Sequence, residues 1–156
     1  MMRKTFALIS IGAAALAFAT SAMAEPLNAQ PGAWKVVVDT MSNGKVLEPR
    51  VNTTCLTKEQ IENFSNKVAQ PRKSATQNCQ RTSFKQTPST VDWTYQCTGD
   101  RTITTVASLK FDNPTHYSGK MKTSTTVHGQ TIDTLNTLNG TRIGDCPTDG
   151  TVPGGH

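Results

Sequence analysis

Residues 79–97 read CQRTSFKQTPSTVDWTYQC, with a cysteine at each end and the turn signal Thr87-Pro88-Ser89-Thr90 between them. Extended, β-friendly segments on either side of a proline-centred turn predict an antiparallel hairpin. Reflection about Pro88 sets Cys79 opposite Cys97, the facing position that a disulfide between adjacent antiparallel strands requires. The same register places Val91, Trp93, Tyr95 and Cys97 on one face but sends Phe84 to the other. A large ring on the wrong side of a half-buried sheet points to a bulge or a longer turn between Thr82 and Ser89. The expected disulfides are therefore Cys79–Cys97 and, with the two cysteines that remain, Cys55–Cys146. The alternative, Cys55–Cys79 with Cys97–Cys146, stays open at this level.

The compartment follows from the N-terminus and the cysteine count. MMRKTFALISIGAAALAFATSAMA (residues 1–24) has a basic start at Arg3 and Lys4, a short apolar run and a small-x-small end at Ala22-Met23-Ala24. This is the pattern of a cleavable export signal, and its apolar run is too short for a comfortable membrane span. Cleavage after Ala24 leaves 132 of the 156 residues, enough for one modest domain. No later segment is apolar enough to cross a bilayer. Four cysteines, an even count in an exported chain, read as two disulfides. Their spacings of 24, 18 and 49 residues do not suit the close Cys-x-x-Cys pairs of a zinc site.

Of the 16 Lys and Arg residues, Arg3 and Lys4 leave with the signal, so the remaining 14 exceed the 11 acidic residues by three. The basic residues are scattered, whereas a nucleic-acid surface needs a focused basic patch with stacking aromatics.

Outward from the hairpin the chain reads as a β-meander. GAWKVVVDTM (residues 32–41) places Trp34, Val36 and Val38 on one face, and Asn43-Gly44 is a strong hairpin turn. Pairing Ser42 with Lys45 brings Val36 opposite Val51 and Thr40 opposite Leu47, and puts Cys55 on the same apolar face. LTKEQIENFSNKV (residues 56–68) predicts one helix: Thr57 caps it, Gln60 completes a capping box, and Leu56 and Ile61 form a hydrophobic staple. Ile61, Phe64 and Val68 make its apolar stripe, and Pro71 stops it. After the turn at Gly99-Asp100, Ile103, Ala107, Leu109 and Phe111 share a face. After Asp112-Asn113-Pro114, Tyr117, Met121 and Val127 lie opposite Lys120 and Lys122. His128-Gly129 turns into QTIDTLNTLNGTRIGDC (residues 130–146), where Ile132, Leu135 and Leu138 recur every three residues. That spacing is ambiguous, and the β-branched threonines favour a strand. The fold class is mainly β: an antiparallel meander of about seven strands forming a curved sheet or partly closed barrel, with one inserted helix and two disulfides. The expected organisation is a signal peptide (1–24), a single β-rich domain (25–147) and a flexible Gly/Pro-rich tail (148–156).

Several fragments resemble one family. Pro31-Gly32-x-Trp34 opens the first strand and Cys55-Leu56-Thr57 precedes the helix. Cys79 and Trp93 four residues before Cys97 follow, then Tyr117-x-Gly119 and Gly140-x-Arg142-x-Gly144-x-Cys146. In order and spacing they are similar to the exported bacterial domain-of-unknown-function family DUF3617, over about residues 31–147. Ala33 stands where a larger apolar residue is expected. The resemblance implies a periplasmic protein and supplies no catalytic residues.

Candidate chemistry is sparse. Ser42-Asn43-Gly44-Lys45 fits a Ser-x-x-Lys pattern, but that chemistry needs a helix N-terminus and this stretch is a hairpin turn. His116 and His128 sit in turns and His156 in the tail, with Asp112 near His116 the one local pairing for a general base. The sequons at Asn52, Asn63 and Asn139 are chance matches in a chain of bacterial character. Arg142, between Gly140 and Gly144, has room to bind an anion or to tie down backbone carbonyls, and Trp34, Trp93 and Tyr117 are candidate wall residues of a ligand pocket on the concave face. No metal or cofactor is expected. The leading expectation is a non-enzymatic periplasmic module for a small ligand or an envelope partner; the alternative is a structural or interaction protein without a ligand. Intact-mass analysis of exported protein should give a chain beginning at Glu25, with no cysteine alkylated before reduction.

Overall fold

The computed structural model describes residues 25–67, 69–70 and 76–147. Residues 1–24, read from sequence as an export signal, together with Val68, Pro71 and the tail with His156, lie outside the described residues. The strands are β1 (Gly32–Ser42), β2 (Lys45–Val46), β3 (Arg50–Leu56), β4 (Gln77–Gln86), β5 (Thr90–Gly99), β6 (Thr102–Asn113), β7 (His116–Val127) and β8 (Gln130–Gly144). They form one antiparallel sheet in the order β2-β1-β8-β7-β6-β5-β4, with β3 on the same side of β1 as β2. The sheet curls into a half-barrel. Helices α1 (Lys58–Glu62) and α2 (Phe64–Lys67) lie between β3 and β4 in the chain.

The β4–β5 hairpin resolves the conflict at Phe84. Cys79 pairs with Cys97 and the two are disulfide-bonded. The register then shifts between Arg81 and Ser83, so that Thr82 is the extra residue and Phe84 pairs with Trp93. One bulged residue inverts every later side chain, which returns the ring to the inner face. The turn is held by Thr87, whose hydroxyl accepts from the Thr90 backbone N–H at 3.0 Å.

The β1–β3 pairing departs from expectation. Ser42 does pair with Lys45, and the Leu47 N–H reaches the Thr40 carbonyl at 2.9 Å. The strand is then interrupted at Glu48-Pro49, where proline has no N–H to donate. When pairing resumes, Val37 faces Val51, and Val36 faces Asn52 rather than Val51. The one-residue slip puts Cys55 opposite Ala33, on the face away from Trp34. There it bonds to Cys146, which follows β8. Ala33 pairs with Cys55 on one side and Gly144 on the other, and it is buried.

The helical segment lies where the capping box puts it. Gln60 N–H donates to the Thr57 hydroxyl at 3.2 Å, and Thr57 N–H donates to the Gln60 side-chain oxygen at 2.8 Å. The helix is not continuous, however: Asn63 leaves helical geometry at φ −112°, ψ 39° and divides it in two. The ambiguous last segment is a 15-residue strand flanked by β1 and β7.

The core gathers toward one end of the concave face. Trp34 is fully buried, its ring 5.6 Å from Tyr117 and 6.4 Å from Phe111. The β1–β8 seam beneath it is a clasp. Arg142 Nε donates to the Pro31 carbonyl at 2.8 Å, and its guanidinium pairs with Asp145. Gly32 sits at φ +147°, where a Cβ would lie 2.3 Å from the Gly144 carbonyl oxygen and 2.6 Å from Arg142 Nε. At Gly140 a Cβ would lie 2.2 Å from the Tyr117 ring. Gly140→Ala should therefore displace that ring and lower stability by about 1–3 kcal/mol, measured by urea unfolding with both disulfides intact.

Candidate functional site

Alternation along β5–β8 assigns the concave face. Val91, Trp93, Tyr95 and Cys97 pair with Leu109, Ala107, Thr105 and Ile103, and these continue into Gly119, Met121, Thr123 and Thr125 of β7. One half of the face is aromatic and aliphatic; the other is rich in threonine. The helical segment covers the apolar half incompletely. α1 buries Ile61 and α2 buries Phe64, whose ring meets Trp93 at 6.3 Å. Between helices and sheet remains a hollow of about 380 Å³, walled chiefly by Phe64, Trp93, Leu109, Phe111, Tyr117 and Met121. Thr54, Gln60 and Lys67 add polar groups to the lining, and Lys120 borders it from a strand position that alternates with the inward Gly119 and Met121. Gln60 is engaged in its capping box and Lys67 Nζ is 3.1 Å from Glu59, so neither is free to carry a ligand's charge.

A second cavity, of about 550 Å³, adjoins the first along Trp93 and Met121. Its walls include Tyr95, the Cys79–Cys97 bridge, Thr105, Thr123 and Arg101. Thr105 is fully buried and its hydroxyl is 3.0 Å from that of Thr123.

The four aromatic and arginine candidates divide. Trp93 and Tyr117, each 8% exposed, line the first hollow. Trp34 does not: it is sealed behind Phe111 and Tyr117, with its indole N–H on the Gln30 carbonyl at 3.2 Å. Arg142 is spent on the β1–β8 clasp, away from both cavities. Of its two flanking glycines, Gly140 makes room for the Tyr117 ring, while Gly144 takes a positive φ of 150° and has open space where a Cβ would stand. His116 pairs with Asp112 at 2.7 Å and approaches the Asn139 side-chain oxygen at 3.3 Å, with Asp112 held below the usual carboxylate range chiefly by that histidine hydrogen bond. Ser42 and Lys45 face each other across a two-residue turn whose central residues have positive φ, and no helix presents them. The sequence pattern also placed Leu109, Phe111 and Met121 on the inner face, but the hollow they wall depends on the break at Asn63, which left no signal.

Fold and site together define an open antiparallel half-barrel with a ligand-sized apolar hollow beneath a short helical strap. The chain belongs to the family of proteins of unknown function DUF3617, whose model matches residues 29–146, from just before the Pro31 end of the clasp to Cys146. No curated protein and no solved structure matches the chain. Among the described residues, no helix is long and apolar enough to cross a membrane.

Burial pushes the Tyr117 phenol from 10.0 up to about 12. The neutral phenol is thus favoured in the fold. The stability it contributes is complete below pH 10 and declines as pH rises through about 12. Phenolate absorbance should show one tyrosine resisting ionisation until about pH 12. Tyr117→Phe should remove both that late titration and its share of the alkaline loss of stability.

Proposed function

We propose that this protein is a non-enzymatic periplasmic binding module that takes a small apolar ligand into the hollow between α1–α2 and the concave face. The observation that carries this reading is the unfilled hollow itself, with Phe64, Trp93, Leu109, Phe111, Tyr117 and Met121 on its walls. The hollow is partly open to solvent, so its apolar walls face water unless an occupant of about 380 Å³ covers them. Its size falls within the range of small-molecule sites, about 300–1,000 Å³. Carbon-rich walls with no paired nucleophile and base among the described lining residues support binding rather than catalysis. Two disulfides support an oxidising compartment, in keeping with the export signal read from residues 1–24.

A second reading, an interaction protein for an envelope partner, draws on the free β2–β3 edge. Val46 is 74% exposed there, with Leu47 and Val51 also on the surface. Pro49 interrupts that edge, which opposes simple strand addition.

An environment-sensitive apolar dye should bind the wild-type protein and brighten. Ala107→Phe, which projects a ring into the hollow from a position opposite Trp93, should weaken dye binding by about tenfold or more, with the circular dichroism spectrum unchanged. Fluorescence that stays flat with a panel of apolar dyes and with intrinsic tryptophan as reporter would reject the pocket and favour the interaction reading.

A further inference from the structure

Resting on the apolar-ligand reading, we propose that the ligand is a single-chain amphiphile with an anionic head, its chain in the hollow and its head against Arg101. The two cavities share Trp93 and Met121 and lie end to end on the concave face, the arrangement that a molecule spanning both requires. The trough they form follows β6. Phe111, Leu109 and Ala107 line its apolar end, while Thr105, Ile103 and Arg101 line the other. From Arg101 to Phe111 is ten residues, about 33 Å at strand rise, long enough for a head group and an extended acyl chain. The apolar hollow lies near the small end of ligand-site volumes, which suits one chain rather than two.

Charge sets the orientation. At the apolar end Lys67 pairs with Glu59, and the exposed Lys120, which alternates with the inward Gly119 and Met121, also borders the outer-face depression of Ser108, Lys110 and Ser118. At the polar end Arg101 makes no ion pair with any described residue, its neighbour Asp100 included. A guanidinium on a cavity wall matches carboxylate or phosphate oxygens with two parallel hydrogen bonds. Beside it, the Gln77 side-chain oxygen is buried with no hydrogen-bond partner among the described residues. It leaves an acceptor for a hydroxyl or amide N–H carried by the head. The threonine hydroxyls between the two ends give the head a polar surround without a competing charge.

The test is displacement of the bound dye from the disulfide-intact protein by dodecanoate, dodecyl phosphate, dodecanol and dodecyltrimethylammonium, each below its micelle concentration. Dodecanoate or dodecyl phosphate should outcompete the cationic amphiphile by about tenfold or more, and the stronger of the two identifies the head chemistry. Arg101→Gln, in an exposed turn, should weaken the anionic amphiphiles by about tenfold while dodecanol affinity and melting temperature stay unchanged. Equal binding of anionic and cationic amphiphiles, or anionic binding unaltered by Arg101→Gln while dodecanol still binds, overturns the head-group assignment and leaves the apolar pocket standing. Failure of dodecanol and every other amphiphile to displace the dye overturns the pocket reading as well.

Discussion

The insertion of β1 between β3 and β8 is the constraint on which the rest of the molecule depends. β4 to β8 form a local meander in which each strand pairs with the next, but β8 reaches β1 only by bringing together residues about a hundred positions apart. That long closure is secured at one end by the Arg142 clasp on Pro31 and by Gly32, whose missing Cβ lets the Gly144 carbonyl approach. The Cys55–Cys146 bridge then closes a loop of 91 residues, worth about 4.6 kcal/mol in the chain-entropy model, against about 3 kcal/mol for the 18-residue Cys79–Cys97 loop. Remove the seam, and Trp34 loses its place against Phe111 and Tyr117, while β1 and the β3 strand paired to it lose their link to the rest of the sheet.

The hollow is a consequence of how little helix the chain commits to covering the sheet. Each short helix buries a single residue, Ile61 or Phe64, because the break at Asn63 stops one apolar stripe from running along the concave face. The sheet supplies more inward aromatic surface than these two side chains can meet. Trp34 is enclosed by Phe111 and Tyr117 at the closed seam, whereas Trp93 meets the Phe64 ring and borders the hollow. Burial of one tryptophan and availability of the other thus follow from strand position, since both lie on inward-facing sites.

Those features explain what was legible in the sequence. The Cys79–Cys97 register and the need for a bulge or a longer turn between Thr82 and Ser89 were readable because Phe84 and Trp93 conflict otherwise, a contradiction contained within nineteen residues; that the extra residue is Thr82 was not. The Thr57–Gln60 box was readable because capping is local chemistry. The slip at Pro49 was not, since it depends on where pairing resumes after a residue that cannot donate, and Val51 facing either partner looks equally apolar on paper. The inward faces that carry Trp93 and Tyr117 were visible as alternation. The separation of Trp34 from the hollow was invisible, because it is fixed by the distant β1–β8 pairing. For Arg142 the tie to a backbone carbonyl was legible as one of two roles, but its partner was not, because Pro31 is 111 positions away.

The threonine content that made the strands legible also shapes the trough. β-branched hydroxyl side chains favour extended backbone, and on an inward face they must find partners or lose stability. Here they find one another: Thr105 with Thr123, and Thr40 with the Asn136 side-chain oxygen at 2.7 Å. A polar lining that satisfies itself in pairs costs the fold little and makes few demands on an occupant. Against it the Gln77 side-chain oxygen, buried with no hydrogen-bond partner among the described residues, is an exception, and it shares a cavity wall with Arg101. Sequences that are otherwise consistent from local propensity to core packing depart from consistency mainly where a site is made. The Gln77 oxygen lies at the polar end of a trough whose other end is apolar, which is the arrangement an amphiphile requires.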